Sequence, residues 1–278
     1  MIASAIALLV MQVGPNPTAN AFPGLPDELR ERPERTVETA PQTSVNSGGK
    51  LAECVTLAAD DPEAASDMAQ TWRETAGHQL ELAQSAHCLG LALVRQEDFD
   101  GAQRAFDLAA GEVPPGAPSY QSRLAAMSGN AAMAQDKPAI AEIAFGRAVS
   151  YATEAGDTEL TASVHVDRAR ALVALGRNDE AVAALAAARA SNPANARAWL
   201  LSATLARRLE RLGEAREQIA QAALLSPQDP AVGLEAGVIA ALSGRDEEAR
   251  RSFESVLEVA PQSNEANKAR GYLEQLQS

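Results

Sequence analysis

The fold is decided by residues 176–261, which read GRNDEAVAALAAARASNPANARAWLLSATLARRLERLGEAREQIAQAALLSPQDPAVGLEAGVIAALSGRDEEARRSFESVLEVAP. Prolines at Pro193, Pro227 and Pro261 are 34 residues apart, and each follows a stretch rich in good helix formers. Each 34-residue unit contains two such stretches, separated by a short polar turn. A fixed period of this length predicts helix pairs that stack on one another along the chain.

The same apolar spacing precedes each proline. The motif GRNDEA at residues 176–181 returns as GRDEEA at residues 244–249, and its final alanine opens the pattern. A small residue lets the two helices of a pair approach closely, and the larger residue four positions later fills the space beside that contact. The three sets are Ala181, Leu185 and Ala188; Ala215, Ile219 and Ala222; and Ala249, Phe253 and Val256.

The composition of the whole chain agrees with an all-α protein. Apolar residues make up 46% of the 278 residues, so a large core can be buried, but aromatic residues make up only 4%. Alanine and leucine dominate the apolar share, and no long alternating run of strand-forming residues occurs. We therefore predict an all-α fold built from repeated helix pairs.

Matching positions extend upstream of the three strictly phased units. Together they resemble the tetratricopeptide repeat (TPR) family, whose pattern is W-x2-L-G-x2-Y…A-x3-F…P, and in particular its exported bacterial members. The matching residues are Leu89, Gly90 and Leu93; Ala102 and Phe106; Gly129, Ala141 and Phe145; Trp199; and Gly237. The resemblance implies an α-solenoid of about five helix pairs, near residues 83–121, 122–161, 162–195, 196–229 and 230–263.

The two ends of the repeat array read as caps. Residues 50–77 form a degenerate helix pair with Trp72 as its large packing residue, and residues 264–278 form a polar capping helix. The first two repeat intervals exceed 34 residues, and we assign the additional residues mainly to longer loops between repeats. Residues 151–157 instead extend the second helix of their pair.

The N-terminal region has the features of an export signal. Residues 2–13 are apolar but too few to span a bilayer, and Ala19 and Ala21 form a small-residue site of the kind that signal peptidase cleaves. We predict a signal peptide at residues 1–21, cleaved after Ala21, and a disordered Pro-rich linker at residues 22–49. No Lys or Arg precedes the apolar run, so an uncleaved membrane anchor is the alternative to a periplasmic or otherwise exported protein.

Charge and motifs exclude several functional classes. A net charge of −13 argues against nucleic-acid binding, which requires clustered basic residues. The spacing of His78, His87 and His165 matches no zinc motif, and the chain has no phosphate-binding glycine loop and no nucleophile elbow. We predict no enzymatic activity, no metal, no cofactor and no stable membrane span.

Two cysteines, Cys54 and Cys88, lie one repeat period apart. Equivalent positions on neighbouring helices are usually about 8–10 Å apart, whereas a disulfide requires Cα atoms closer than about 7 Å. An oxidising compartment and the shorter helices of the cap favour a bridge, and two buried free thiols are the alternative.

The resemblance places any ligand site on the first helices of the pairs, which line an inner groove in this family. The second, fifth, ninth, twelfth and thirteenth residues of each repeat are then expected to face the groove, and with Arg95 this brings six arginines together. The alternative is that these arginines pair with acidic neighbours inside the solenoid. The groove residues that we select are Arg123, Asn130, Arg170, Arg197, Leu200, Thr204, Arg207, Arg208, Leu234 and Val238.

The leading functional hypothesis is a non-catalytic scaffold of the bacterial cell envelope that binds a protein or peptide in this groove. The alternative is a structural component of an envelope complex, with contacts through the convex face or the caps.

Overall fold

The structure, a computed structural model, describes residues 47–276. These residues form thirteen α-helices and no strand, which confirms the prediction of an all-α solenoid. The predicted signal peptide at residues 1–21 and nearly all of the predicted linker at residues 22–49 lie outside the described residues. The first helix begins at Ser47, three residues before the predicted start at residue 50.

Five helix pairs follow one another along the chain. In each pair the first and second helix pack against each other, and each second helix packs against the first helix of the next pair. The first helices are α3 (Gln79–Arg95), α5 (Pro118–Ala134), α7 (Thr158–Ala174), α9 (Ala196–Arg208) and α11 (Pro230–Leu242). The second helices are α4 (Phe99–Glu112), α6 (Pro138–Glu154), α8 (Asn178–Ser191), α10 (Leu212–Leu225) and α12 (Asp246–Val259).

The turn inside each pair requires one residue in the left-handed region, with φ between 56° and 72°. Two pairs place a glycine there, where the absence of a Cβ removes the steric cost. The other three place an acidic residue there at a cost of about 1–2 kcal/mol each, which the surrounding helix packing offsets. The five turn residues are Glu97, Asp136, Gly176, Glu210 and Gly244.

The first helices of the three N-terminal pairs are one turn longer than the others. α3, α5 and α7 have 17 residues each, whereas α9 and α11 have 13. The loop before α5 (113–117) is one residue longer than the loop before α9 (192–195), and the loop before α7 (155–157) is one residue shorter, so the expectation that loops hold most of the additional residues is wrong. The expected extension of the second helix is found, because α6 has 17 residues and continues to Glu154. The longer first helices α3 and α7 begin after the capping side chains of His78 and Asp157, and α5 begins at Pro118.

The N-terminal cap consists of α1 (Ser47–Asp60) and α2 (Pro62–Glu74). Cys54 on α1 and Cys88 on α3 are fully buried, their Cα atoms are 5.8 Å apart, and their sulfur atoms are joined in a disulfide. The guanidinium of Arg73 on α2 forms a two-pronged ion pair with Glu112 of α4. Covalent and ionic contacts thus attach the cap to the first helix pair.

The C-terminal cap is α13 (Asn264–Gln275). The ring of Tyr272 stacks on that of Phe253 in α12, with ring centroids 5.3 Å apart. Leu273 and Leu276 pack against the last apolar cluster, which contains Phe253 and Val256. The last helix therefore covers the apolar surface that the fifth pair leaves open.

Candidate functional site

A cavity of about 220 Å³ opens between α7 and α9, on the surface formed by the first helices of the pairs, which we call the first-helix face. Its lining is mostly apolar and comes from four helices. Arg170 of α7 and Arg208 of α9 also line it, together with the hydroxyl-bearing Thr204. The apolar lining residues are Met133, Val166, Ala169, Val173, Leu185, Leu201 and Leu205.

The core beneath the cavity fixes its shape. Val166, Leu185 and Leu205 are at least 95% buried and belong to the apolar cluster that joins α7, α8 and α9. Thr204 Oγ1 donates a hydrogen bond to the carbonyl oxygen of Leu200 at 3.1 Å, which holds the threonine side chain against its own helix. The floor therefore consists of buried, packed side chains, whereas the two arginines at the rim are exposed.

Two of the predicted groove arginines share one carboxylate. Asp167 Oδ1 lies 3.4 Å from Arg170 Nη1 and 3.6 Å from Arg197 Nη2. The Asp167 side chain is 13% exposed, whereas the two guanidinium groups are about half exposed. One negative charge thus faces two positive charges, so the group keeps a net positive charge that a ligand carboxylate can meet.

Arg207 forms an ion pair with an acidic residue inside the solenoid, as the alternative hypothesis for the groove arginines expected. Its Nε donates to Glu235 Oε1 at 2.6 Å and its Nη2 donates to Glu235 Oε2 at 3.3 Å, so the pair joins α9 to α11. Arg123 and Arg208 differ, because both are exposed and neither forms an ion pair with another residue of the 47–276 segment. Arg207 therefore has a structural partner, and Arg208 is available at the cavity.

The remaining predicted groove residues do not gather at the cavity. Asn130 is exposed on α5, and Leu200 packs beside Trp199 on the neighbouring apolar cluster. Leu234 and Val238 pack against the terminal cluster that α13 also contacts. Sequence reasoning did not select Leu185, Leu201 and Leu205 as lining residues, because their side chains reach the cavity from the core side of their helices.

Charge is divided unevenly between the two sets of helices. The five first helices carry seven arginines and four acidic residues, whereas the five second helices carry six arginines and fourteen acidic residues. Neither set contains a lysine. The chain is acidic as a whole, yet the helices that form the first-helix face have a net positive charge.

Comparison with known proteins agrees with this architecture. The sequence profile of the tetratricopeptide repeat family matches residues 166–231, which include α9 and most of α7 at the cavity. The chain thus contains tetratricopeptide repeats at residues 166–231. No curated protein sequence matches the TPR chain.

Solved structures resemble this TPR protein at low sequence identity. PilW, described as a widely conserved type IV pilus biogenesis factor, is 15% identical with a TM-score of 0.63, and the match covers 84% of this chain and 98% of PilW. PilF of Pseudomonas aeruginosa is 13% identical with a TM-score of 0.60, covering 82% and 99% of the two chains. MamA is 21% identical with a TM-score of 0.52, covering 66% and 97%. At these identities the likeness shows the fold alone.

The first repeat of the TPR array contains a half-buried histidine, His87, on α3. His87 Nδ1 lies 3.0 Å from Tyr120 Oη, and burial lowers the pKa of His87 to about 4. Burial also raises the pKa of Tyr120. Both side chains are therefore neutral near pH 7, and the contact is a hydrogen bond without a charge.

Across residues 47–276, no three His, Cys, Asp or Glu side chains are grouped closely enough to hold a metal ion. In the same segment, none of the helices combines the length and the apolar character needed to cross a bilayer.

Proposed function

We propose that this TPR protein is a non-catalytic scaffold of the bacterial cell envelope that binds an acidic segment of a partner protein on its first-helix face. The observation that carries the proposal is the apolar cavity between α7 and α9, with Arg170 and Arg208 at its rim. A preformed apolar cavity supplies affinity, and guanidinium groups above it select for carboxylates.

The electrostatic asymmetry supports the choice of an acidic partner. The second helices carry most of the negative charge and repel an acidic segment, whereas the first helices attract it. Arg170 and Arg197 have only Asp167 between them, and Arg208 has no acidic partner in the described part of the chain. A bound carboxylate would therefore meet positive charge that the fold leaves unneutralised.

Two features support a location in the cell envelope. The N-terminal apolar run ends in the small-residue site at Ala19 and Ala21, as in exported proteins. The disulfide between Cys54 and Cys88 is of the kind that persists in oxidising compartments.

The test is capture of partners by the charge-reversal variant Arg170→Glu/Arg208→Glu. The matched control is Arg216→Glu/Arg251→Glu, which reverses two exposed arginines on the second helices α10 and α12. Mature protein is immobilised, envelope extract is passed over it, and captured proteins are quantified by mass spectrometry. We expect proteins held by the wild type and the control to be lost at least tenfold from the groove variant.

Equal capture by all three proteins would overturn the groove proposal. The alternative, assembly through the second-helix face or the caps, would then take its place, and it is tested in the same assay by deleting residues 264–278.

A further inference from the structure

The size of the cavity between α7 and α9 limits what can enter it. At about 220 Å³ it is smaller than the roughly 300–1,000 Å³ of sites that enclose small-molecule ligands. It is larger than an apolar cavity of about 150 Å³ that holds a benzene molecule. One large aliphatic or aromatic side chain therefore fits.

The chemistry of the cavity agrees with its size. Its floor is formed by aliphatic side chains that include Val166, Val173 and Leu201. Polar lining groups occur on three residues, Arg170, Thr204 and Arg208, and the Thr204 hydroxyl is already used in a hydrogen bond within α9. Because that hydroxyl has already donated its hydrogen, the floor offers no hydrogen-bond donor to a buried polar acceptor of a ligand, whose burial would be costly.

The arginines at the rim of the cavity favour acidic residues next to that apolar side chain. Arg170 and Arg208 come from neighbouring helices and border the same cavity, and Arg197 adds a second guanidinium beside Asp167. A carboxylate near the apolar group would form charge-assisted hydrogen bonds with these guanidinium groups.

We infer that the cavity binds a single large apolar residue, such as leucine or phenylalanine, that has acidic residues on both sides in a partner protein. This inference rests on the proposed function and narrows it to a sequence pattern, acidic–apolar–acidic. The apolar residue supplies most of the affinity, and the acidic residues fix its position.

Three labelled peptides test the pattern on the mature protein by fluorescence anisotropy. The probe is GDELDEG, the second peptide replaces its leucine with alanine, and the third replaces each acid with its amide. We expect the alanine peptide to bind at least tenfold more weakly, since burying a leucine-sized group is worth more than a factor of ten in affinity. The amide peptide should also bind at least tenfold more weakly, because it cannot form charge-assisted hydrogen bonds with the guanidinium groups at the rim. Equal binding of the leucine and alanine peptides would overturn the inference.

Filling the cavity tests the location of the apolar group. Thr204→Leu places a larger side chain in the cavity, and Thr153→Leu is the matched control, because Thr153 is exposed on the second helix α6 and makes the same kind of hydrogen bond to its own helix. Thr204→Leu should bind GDELDEG at least tenfold more weakly than the wild type, and Thr153→Leu should bind it as the wild type does. Val173→Phe is a second filling variant, and circular dichroism melting confirms that each variant is folded.

The outcomes separate this inference from the proposed function. If Arg170→Glu/Arg208→Glu loses its captured partners while both filling variants bind the probe normally, the scaffold function stands and the apolar site is wrong. If the groove variant captures the same proteins as the wild type, the proposed function itself fails. If the wild type forms a dimer that Thr204→Leu dissociates, a second copy occupies the cavity, which overturns the acidic-segment inference.

Discussion

At the scale of single residues, the packing of each helix pair depends on two positions sixteen residues apart. In three pairs a glycine of the first helix faces a phenylalanine of the second, and a Cβ added to the glycine would lie 2.3–2.6 Å from the ring. In the other two pairs an alanine faces a smaller side chain. The five combinations are Gly90 with Phe106, Gly129 with Phe145, Ala169 with Leu185, Ala203 with Ile219, and Gly237 with Phe253. The smaller residue on the first helix is thus matched by the larger side chain on the second helix, so the two side-chain volumes compensate each other.

Replacing Gly129 with alanine should therefore destabilise the protein. The new methyl group would meet the Phe145 ring, and overpacking of this kind costs about 1–3 kcal/mol, of which alanine recovers about 0.5–1 kcal/mol through its helix propensity. The double variant Gly129→Ala/Phe145→Leu recreates the alanine–leucine combination of the third pair and should recover at least half of the loss. Urea unfolding of both single variants and the double variant gives the coupling energy.

Gly146→Ala in α6 is the matched control, because a Cβ at Gly146 meets no atom within 4 Å. It should stabilise the protein by about 0.5–1 kcal/mol. If Gly129→Ala is as stable as Gly146→Ala, the volume compensation is refuted.

At the scale of helices, the stability of each helix pair depends on its contacts with the neighbouring pairs. Each pair contacts the pairs on either side, so the cap of α1 and α2 depends on what joins it to α3 and α4. The disulfide between Cys54 and Cys88 closes a loop across this junction, and Gln96 also donates a hydrogen bond to the carbonyl oxygen of Pro62 at 2.8 Å. The cap is thus held to the first pair by a covalent bond and a hydrogen bond.

Cys54→Ala/Cys88→Ala should release the cap. In the chain-entropy treatment, a loop of this length contributes about 3–4 kcal/mol, and the loss should fall mainly on α1, α2 and α3. Hydrogen exchange should show faster exchange in α1 and α2 and unchanged protection in α9 to α12. The wild type in reducing buffer is the control and should behave as the variant does. Uniform loss of protection along the whole array would contradict the view that the stability of each pair depends mainly on contacts with its neighbours.

At the scale of the whole molecule, the division of charge gives the solenoid two different surfaces. The second helices carry most of the negative charge of this acidic chain, while the first helices keep positive charge beside an apolar cavity. Because electrostatic complementarity governs the choice of partner, the surface that carries the minority charge is the better candidate for binding.

The complete chain should be exported and processed. Cell fractionation followed by N-terminal sequencing should recover the protein from the periplasm with Phe22 as its first residue, because signal peptidase would cleave after Ala21. Ala21→Lys should block cleavage and leave a longer form, whereas Ser44→Lys, outside the cleavage site, should not. Unprocessed wild-type protein in the membrane fraction would favour the uncleaved anchor, and protein in the cytosol would refute export.

The sequence by itself determined the helix pairs, because their periodicity is written in local spacing: prolines 34 residues apart and a small residue four positions before a large one. It also identified Arg170, Thr204 and Arg208 through their place in the repeat. Only the tertiary structure decided that Arg207 pairs with Glu235, that the longer repeats have longer first helices, and that Leu185 and Leu205 form the wall of a cavity. These outcomes depend on side chains from neighbouring helices, whose distances a repeat pattern does not contain.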